Sequence, residues 1–417
     1  MTSRPEPTGV DARRAALRLL DAVLRRGLPL EAALDAAARD LAKPEDRGLA
    51  HAIAAETLRR LPDLDAMIDS ATQQRLPPDA KARFALRIAL VQALALCTPP
   101  HAAISTVLPL VDGGPRRLVH GVFGALMRRK AALPSPPSLP RGVEMRWLES
   151  WGPEMIAAAR QALAAPPPLD LSFKSAEAAE RFDGDHLAAR HARIPAQSGI
   201  AELPGFAEGD WWVQDLAASI PARLLGDGEG RTVLDLCAAP GGKTLQLAAA
   251  DWRVTAVDSS AARLERLREN LQRTRLEADV IQADVMQWQP AAAVDAILLD
   301  APCSATGIFR RHPDVLHRVR PRVIAEMAEL QRAMLARAAD WLKPGGTLVF
   351  STCSLEPDEG EAHLEHSPLP LDPVRPDQLP GGVTPNPGGY LRILPTMLAN
   401  KGALDGFFVA RFKRRHH

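Results

Sequence analysis

The sequence predicts an all-helical N-terminal domain followed by a doubly wound α/β domain. Apolar residues recur at helical spacing through residues 11–130, and no strand-like alternation interrupts them. From about residue 208, short apolar runs alternate with turns and helical stretches, a pattern typical of a parallel sheet covered on both faces. A proline-rich run separates the two patterns. The fold class is therefore α plus α/β.

The composition is that of a globular protein with a sizeable core. The chain has 417 residues, 46% of them hydrophobic and 24% charged, which suits two or three domains. No window holds the roughly 18 apolar residues of a membrane helix, and the N-terminus lacks the apolar core of a signal peptide. The cysteines show neither C-x-x-C pairs nor zinc spacing. We expect a cytoplasmic protein without a metal site and without a membrane partner.

The N-terminal domain is predicted over residues 1–131 as a compact bundle. In its first helix Leu17, Leu20 and Leu24 recur at helical spacing, with arginines on the opposite side. Further helices are predicted at 31–41, 46–60, 80–97, 101–111 and 116–130. Four prolines fall within residues 132–141, and because no helix continues through such a run, it is predicted to be a stiff linker.

A small mixed connector is predicted at 142–205 and the α/β domain at 206–417. The connector has a helix at 145–163 and otherwise weak periodicity. In the α/β domain the predicted strands are T-V-L-D-L, R-V-T-A-V-D, D-V-I-Q-A-D, D-A-I-L-L-D and G-T-L-V-F-S-T, and the clearest helices are 260–275 and 321–342. Ligands of such sheets bind beyond the carboxyl ends of the strands, so the candidate site lies there.

The loop after the first of these strands is one residue away from a phosphate-binding loop. From Cys237 it reads C-A-A-P-G-G-K-T, against the pattern G-x-x-x-x-G-K-[ST]. The run A-I-L-L-D at 296–300 resembles the strand that holds magnesium in such enzymes, so an ATPase is one hypothesis. Against it, Cys237 stands where the first glycine should be. Pro240 also removes a backbone N–H that phosphate would use.

Acidic residues stand at successive strand ends: Asp235, Asp258, Asp284 and Asp300. An acid about 20 residues past a glycine-rich loop is the position that binds ribose hydroxyls, and Asp258 occupies it. Carboxylates repel a triphosphate but suit a ligand with hydroxyls, an amine and a positive centre. A single such acid is more often a helix N-cap, but four in succession are hard to explain that way. The cofactor is therefore predicted to be S-adenosyl-L-methionine rather than ATP.

Cys303 and Cys353 follow the fourth and fifth predicted strands, at the edge where the chemistry is expected. A thiolate that adds to carbon 6 of a cytosine makes carbon 5 nucleophilic enough to accept a methyl group. A carboxyl such as Asp300 can stabilise the changing charge by bonding ring nitrogen N3, and a second thiol can assist loss of the carbon-5 proton. Methylation of an amino group would need no thiol. The residues alone do not rank the two thiols.

Four motifs resemble those of the RNA cytosine-5 methyltransferases of the RsmB/Nop2/NSUN family: D-L-C-A-A-P-G-G-K-T, L-L-D-A-P-C-S-A-T-G, R-R-H-P-D and S-T-C-S-L-E-P. The segments from R-H-A-R-I-P to W-V-Q-D-L-A-A-S, and L-D-G-F-F-V-A-R-F, are similar as well. The N-terminal domain resembles the RNA-binding fold of the antitermination factor NusB, through R-R-A-A-L-R-L-L-D-A-V-L, L-R-I-A-L-V-Q-A-L-A-L and P-P-H-A-A-I. The combination is typical of the bacterial RsmB group, which methylates 16S ribosomal RNA.

The resemblance implies a Rossmann-like methyltransferase domain and a role for each matching residue. It implies that Cys353 is the nucleophile and that Cys303 assists product release. The cofactor-binding residues that it implies are Cys237, Ala238, Ala239, Pro240, Gly241, Gly242, Lys243, Asp258 at the ribose, Asp284 by the adenine, and Asp300 between donor and target base. In one departure, E-P-D-E-G-E follows T-C-S-L, where family members commonly have an Asn near Gly360.

Clusters of basic residues are predicted to contact RNA phosphates. They are Arg116, Arg117, Arg128, Arg129 and Lys130 at the end of the helical domain, and Arg310 and Arg311 after the Cys303 motif. A target base must leave its stack to reach a thiol, so we expect a single-stranded loop or bulge of 16S ribosomal RNA as the substrate. The protein is expected to be a monomer.

Two other functions remain open at this stage. A transfer-RNA cytosine-5 methyltransferase would share every catalytic residue and would differ in RNA docking; the NusB-like domain argues against it. A non-catalytic RNA-binding or antitermination factor should have lost a thiol or a donor acid, and this chain keeps them all.

Overall fold

The computed structural model describes residues 8–197 and 199–416. The first residues of the N-terminal stretch, on which the absence of a signal peptide was predicted, lie outside the described residues. The chain forms two compact units. Met1–Ala165 and Arg311–Val319 form the first unit, and Pro166–Arg310 and Arg320–His417 form the second, as far as these ranges are described. The helix predicted inside the connector therefore belongs to the helical unit.

The first unit is built from amphipathic helices around one apolar core. These helices are α1 (Val10–Leu24), α2 (Leu30–Ala37), α3 (Pro44–Arg59), α4 (Leu61–Ser70), α5 (Lys81–Leu94), α6 (Pro100–Val107), α7 (Gly113–Arg128) and α8 (Arg141–Leu163). Helix α5 is buried on all sides over Ala82–Gln92, as expected for the central helix of a bundle. Leu19 and Leu20 of α1, and Ile53 and Leu58 of α3, are fully buried in the same core. The all-helical prediction for this region is confirmed.

Helix α8 contains a kink at Gly152, where φ is +79° and ψ is 177°. Pro153 follows, and a proline disfavours helical geometry in the residue before it. Glycine adopts this backbone conformation without a steric penalty, so the chain resumes the helix after one irregular residue.

The second unit contains two sheets. Its strands are β1 (Leu169–Phe173), β2 (Asp185–Ala188), β3 (His191–Ile194), β4 (Trp211–Val213), β5 (Thr232–Leu236), β6 (Arg253–Asp258), β7 (Asp279–Gln282), β8 (Val294–Asp300), β9 (Leu342–Thr352), β10 (Leu391–Ile393) and β11 (Phe407–Lys413). The larger sheet has the order β10-β11-β9-β8-β5-β6-β7. The strands from β9 to β7 are parallel, whereas β10 and β11 are antiparallel additions at one edge. The predicted doubly wound fold is confirmed, and its antiparallel edge was not predicted.

The remaining helices are α9 (Ala176–Glu180), α10 (Leu216–Arg223), α11 (Gly242–Ala249), α12 (Ala261–Thr274), α13 (Val315–Arg318) and α14 (Pro321–Asp340). Helix α11 follows the loop after β5, and α12 follows the end of β6. Ser260 caps α12 by accepting a hydrogen bond from the Arg263 N–H. The carboxyl ends of β5, β6 and β8 therefore meet the helix N-termini at one edge of the sheet.

The smaller sheet, of order β2-β3-β1-β4, is what the sequence showed only as a weakly patterned connector. All residues of β1 and of β3 are buried, so these strands lack the alternation by which strands are predicted. Trp211 and Trp212 in β4 are both buried and pack into two different apolar clusters. They pack the small sheet against neighbouring apolar residues, so neither ring is exposed for stacking on an RNA base.

Candidate functional site

The loop between β5 and α11 is held by unusual backbone conformations and by contacts to β6. Cys237 has φ +62° and Gly241 has φ +109°. A Cβ on Gly241 would lie 2.9 Å from Cγ of Leu267, so glycine is required here for space as well as for conformation. The Ala239 N–H donates to Asp258 Oδ2 at 3.1 Å, and the other oxygen of Asp258 accepts from the Ser260 N–H. The predicted donor loop and the predicted ribose-binding acid are thus in direct contact.

Asp235 lies beneath this loop and is fully buried. Its Oδ2 accepts a hydrogen bond from Thr244 Oγ1 at 2.6 Å, whereas its Oδ1 has no partner among the described residues. Burial raises the pKa of Asp235 to about 7, against the opposing effects of the Thr244 hydrogen bond and the charge of Lys243. Part of its hydrogen-bonding capacity is therefore available to a ligand or an ordered water.

Cys237, the first residue of the loop, has an unreactive thiol. Burial, followed by the charges of Asp258, Asp300 and Asp235, raises the pKa of Cys237 to about 12. Its thiol therefore stays neutral. Asp258, Asp300 and Asp235 each bond a residue of this loop or of the first turn of α11, and an acidic environment of this kind opposes a triphosphate.

Lys243 and Asp300 form an ion pair at the centre of the site. Lys243 Nζ donates to Asp300 Oδ2 at 2.7 Å, and Ser351 Oγ donates to Asp300 Oδ1 at 2.7 Å. Burial alone would lower the pKa of Lys243, but Asp300, then Cys353 and Asp235, hold it above its usual value. The lysine that a phosphate loop would use is thus committed to a carboxylate, which counts against the ATPase hypothesis.

The two thiols predicted at the strand ends lie together. Cys303 Sγ and Cys353 Sγ are 3.4 Å apart, and both side chains are partly exposed. The hydrogen bond to Cys353, then burial and the neighbouring charges of Cys353 and Glu359, raise the pKa of Cys303 well above its usual value. The two sulfur atoms are close enough to share a hydrogen bond, in which either can be the donor. The assignment of Cys353 as the nucleophile stays a prediction.

The loops that carry the thiols are joined through their backbones. The Gly307 N–H donates to the Cys353 carbonyl at 3.0 Å, and the Gly406 N–H donates to the Gly307 carbonyl at 2.9 Å. A Cβ on Gly307 would lie 2.0 Å from the Gly406 carbonyl oxygen, so only glycine permits this approach. Gly406 leads into β11, which explains how the C-terminal strand supports the site.

Sequence reasoning missed a set of polar residues beneath the thiols. Glu359 is fully buried and accepts hydrogen bonds from Ser304 and Ser354, which follow the two cysteines. Gln331 of α14 donates to the same carboxylate at 3.2 Å. In the sequence, Glu359 is one acid within E-P-D-E-G-E, and no local signal distinguishes it from its neighbours.

Asp284 is less integrated than the other predicted acids. It is exposed, and its two oxygens accept from the Met286 N–H and from Gln287 Nε2. It therefore organises its own turn after β7, and its predicted place beside the adenine stays a prediction. Within the described residues, no group of three or more His, Cys, Asp or Glu side chains is arranged to hold a metal.

The structure corrects one of the predicted RNA contacts. Arg310 is fully buried; its Nη2 lies 2.7 Å from Asp215 Oδ2 and its Nε 2.9 Å from Asp405 Oδ1. It also donates to the carbonyls of Gly402 and Ala403. Its guanidinium is therefore a structural ion-pair partner, and the prediction that it contacts RNA is wrong. In the sequence, nothing distinguishes Arg310 from the other basic residues near it.

Arg311 is half-buried and belongs to the segment Arg311–Val319 of the helical unit. In that segment Asp314 accepts hydrogen bonds from Arg318 Nε at 2.9 Å and from the Leu30 N–H at 3.4 Å. His317 Nε2 lies 2.7 Å from the Leu58 carbonyl, and burial lowers its pKa to about 4, so it is a neutral donor. The segment is thus tied firmly to α2 and α3.

The other predicted RNA contacts lie on or just after α7. Arg116, Arg117, Arg128, Arg129 and Lys130 are all exposed. No described residue forms a salt bridge with them at hydrogen-bonding distance. These cations are therefore accessible to an anionic partner.

Among the described helices, none has the length and apolarity that a membrane span needs.

Comparison with known proteins bears on both parts of the chain. Residues 222–413 match the family model described as 16S rRNA methyltransferase RsmB/F, and residues 10–125 match that of the NusB family. A protein of Xanthomonas campestris pv. campestris, named ribosomal RNA small subunit methyltransferase B, is 34% identical over 389 residues; the match covers 88% of this chain and 89% of that protein. Its namesake in Vibrio cholerae serotype O1 is 33% identical, with 98% of both chains covered.

Solved structures agree with the fold. The crystal structure of PH0851 superposes with a TM-score of 0.73 at 22% identity, covering 98% of this chain and 99% of that one. A methyltransferase homolog protein from Pyrococcus horikoshii has a TM-score of 0.54 at 26% identity, covering 70% of this chain and 98% of its own. The first of these likenesses supports the fold alone.

Proposed function

The chain belongs to the RsmB/F family of 16S rRNA methyltransferases, and from that premise we propose that it methylates carbon 5 of a cytosine in small-subunit ribosomal RNA. The observation that carries the proposal is the 3.4 Å separation of Cys303 Sγ and Cys353 Sγ beside the Lys243–Asp300 pair. Transfer to an exocyclic amine needs no thiol, so two adjacent thiols favour attack on a ring carbon.

The cofactor is S-adenosyl-L-methionine, which supplies a methyl group on a positively charged sulfur. The residues present suit such a ligand. Three carboxylates surround the loop after β5, and buried Asp235 keeps an oxygen without a partner among the described residues. We propose that Asp258 bonds the ribose hydroxyls through the lone pairs that its two backbone contacts leave open. Asp284 is proposed to lie by the adenine.

In the proposed reaction Cys353 releases its proton to solvent, and its thiolate sulfur bonds carbon 6 of the cytosine and makes carbon 5 nucleophilic. Ring nitrogen N3 takes up a proton as this bond forms and then donates to Asp300, whose position is set by Lys243 and Ser351. After methyl transfer the proton on carbon 5 must leave so that the bond between Sγ and carbon 6 can break. Cys303 is the nearest thiol, and it is proposed to assist this release as a thiolate that takes up the carbon-5 proton and passes it to solvent.

The RNA is proposed to dock partly on the exposed cations of α7. Carbon 6 can reach a partly exposed thiol at the sheet edge only when the base is unstacked, so a single-stranded loop or bulge is the preferred target. We further propose that the protein works as a cytoplasmic monomer.

The test is methyl transfer from labelled donor to unmodified 16S rRNA, followed by nucleoside analysis, with wild type and C353A side by side. We expect 5-methylcytidine with wild type only. Transfer RNA is assayed in parallel. If only transfer RNA is modified, the proposed chemistry stands and the proposed substrate is wrong. If neither RNA is methylated while donor binding is intact, the non-catalytic alternative replaces the proposal.

A further inference from the structure

We propose that Glu359 is a positioning residue of the methyl-transfer site: its carboxylate joins the loop of Cys303 to the loop of Cys353 and so sets the separation of the two thiols. This inference rests on the proposed function, in which Cys353 is the nucleophile and Cys303 assists release; Glu359 is the residue that holds these two thiols together. Glu359 touches neither thiol through a hydrogen bond and therefore acts through their neighbours.

The carboxylate contacts the residue after each cysteine. Its Oε1 accepts from the Ser304 N–H at 2.8 Å, and its Oε2 accepts from the Ser304 hydroxyl. The same Oε2 accepts from Ser354 Oγ at 2.5 Å. One planar group thus bonds two loops that are 50 residues apart in the chain. A shift of either loop would break at least one of these bonds.

Contacts to the residues before the cysteines complete the arrangement. Thr352 Oγ1 donates to the Glu359 carbonyl at 2.8 Å. Gln331 Nε2 donates to the Pro302 carbonyl at 2.8 Å and to Glu359 Oε1 at 3.2 Å. Gln331 is itself oriented by His363, whose Nε2 donates to its side-chain oxygen at 2.9 Å. Each thiol is therefore flanked on both sides by residues that Glu359 or Gln331 holds.

The site is built for a carboxylate and not merely for a polar side chain. All four side-chain contacts of Glu359 are with donors, and it is fully buried, so an acceptor-only group satisfies every one of these contacts. Burial raises its pKa, and hydrogen bonds from Ser304, Ser354 and Gln331 oppose that effect. Its negative charge also raises the pKa of Cys303, after the larger effects of the contact with Cys353 and of burial.

The first measurement needs neither RNA nor donor. Diamide oxidises two neighbouring thiols to a disulfide and is itself reduced to the hydrazine, which takes up both protons. Wild type should form the Cys303–Cys353 disulfide readily, as read by peptide mapping, with C303S as the blank. E359A should form it at least about tenfold more slowly, because the loops separate. D358A, which changes an exposed acid in the same run, is the matched control and should behave as wild type.

The second measurement is steady-state methylation. E359A should lose about 100-fold in kcat, the typical effect of displacing a reacting group by about 1 Å, with the KM for donor changed less than about threefold. E359Q keeps the shape, and the serine hydroxyls can rotate to accept from its amide, so it should recover part of the loss. Cys303 should be alkylated faster in E359Q than in wild type, since the negative charge is gone.

Two outcomes would overturn the inference. One is equal disulfide formation in E359A and wild type; the other is an unchanged kcat in E359A. If E359A does not fold, the double variant S304A/S354A removes the hydroxyl donors and leaves the carboxylate; normal thiol pairing and normal kcat in it would equally reject the role. Failure of the proposed function is recognised separately, since wild type would then pair its thiols without methylating RNA.

Discussion

Lys243 Nζ lies 2.7 Å from Asp300 Oδ2, so the last residue of the donor loop is bonded to the acid at the end of β8. The pair joins the loop that is proposed to hold the cofactor to the residue that is proposed to face the base. Ser351 holds the other oxygen of Asp300, and Lys243 Nζ lies 5.5 Å from the Phe407 ring. Contacts within the protein therefore hold both side chains of the pair in place.

Replacement of Lys243 by methionine should impair methylation more than stability. The variant leaves Asp300 without its cation, so the carboxylate is free to turn away from the base. We expect kcat/KM to fall about 100-fold, equal to about 2.7 kcal/mol of transition-state stabilisation. The measurement is a donor titration at saturating RNA, with thermal unfolding as the check on folding. Unchanged kcat/KM would mean that the pair has no part in the reaction.

The two thiols should give opposite phenotypes. In C303A the nucleophile Cys353 remains but the release step lacks its nearest thiol, so a covalent protein–RNA adduct should accumulate on a denaturing gel. In C353A no adduct should form. An adduct in C353A and none in C303A would reverse the proposed roles of the two thiols.

Replacement of Arg310 by alanine should destabilise the protein and should not act through RNA contact. Loss of the guanidinium leaves the buried carboxylates of Asp215 and Asp405 without their cation, which typically costs about 3–5 kcal/mol. Chemical denaturation measures this loss. The matched variant R128A, on the exposed surface of α7, should change stability by less than about 0.5 kcal/mol and should weaken RNA binding in a salt-dependent way. The reverse pattern would contradict both assignments.

The buried carboxyl of Asp235 should make the stability of the protein depend on pH. Its pKa is about 7 in the folded chain and near 3.8 otherwise, so the folded state holds the proton more tightly. The stabilisation that this bound proton gives the folded state is complete at pH values below the pKa of the unfolded chain and is lost as pH rises through about 7. Between pH 5 and pH 8 wild type should lose roughly 2.5 kcal/mol relative to D235N. Urea unfolding at the two pH values tests this, and parallel behaviour of the two proteins would reject it.

Gly360 should not tolerate the asparagine that is common near this position in the family. A Cβ there would lie 2.2 Å from Arg392 Nη2 and 2.9 Å from the Phe408 ring. Arg392 cannot move freely, because it bonds Glu361 and donates to the Ser354 carbonyl. G360N should therefore cost about 1–3 kcal/mol of stability by overpacking. G381N, at a glycine with open space around it, is the control and should be close to neutral.

Local patterns in the sequence were enough to predict the helical domain, the parallel sheet and the edge at which the chemistry is expected. The reason is periodicity: helical spacing marks the helices, and the carboxyl ends of parallel strands meet at one edge whatever the loops do. Motif residues at those ends, such as Lys243 and Asp300, are therefore expected to lie near each other before any coordinates are known.

The tertiary structure alone decided the features that depend on partners distant in sequence. The small antiparallel sheet escaped prediction because β1 and β3 are buried along their whole length and show no alternation. Arg310 turned inward because Asp215 and Asp405, each about 95 residues away, meet it in the core. Glu359 likewise bonds both thiol loops only because folding places the hydroxyls of Ser304 and Ser354 around it. Burial and charge pairing are properties of the packed chain, so no local stretch of sequence encodes them.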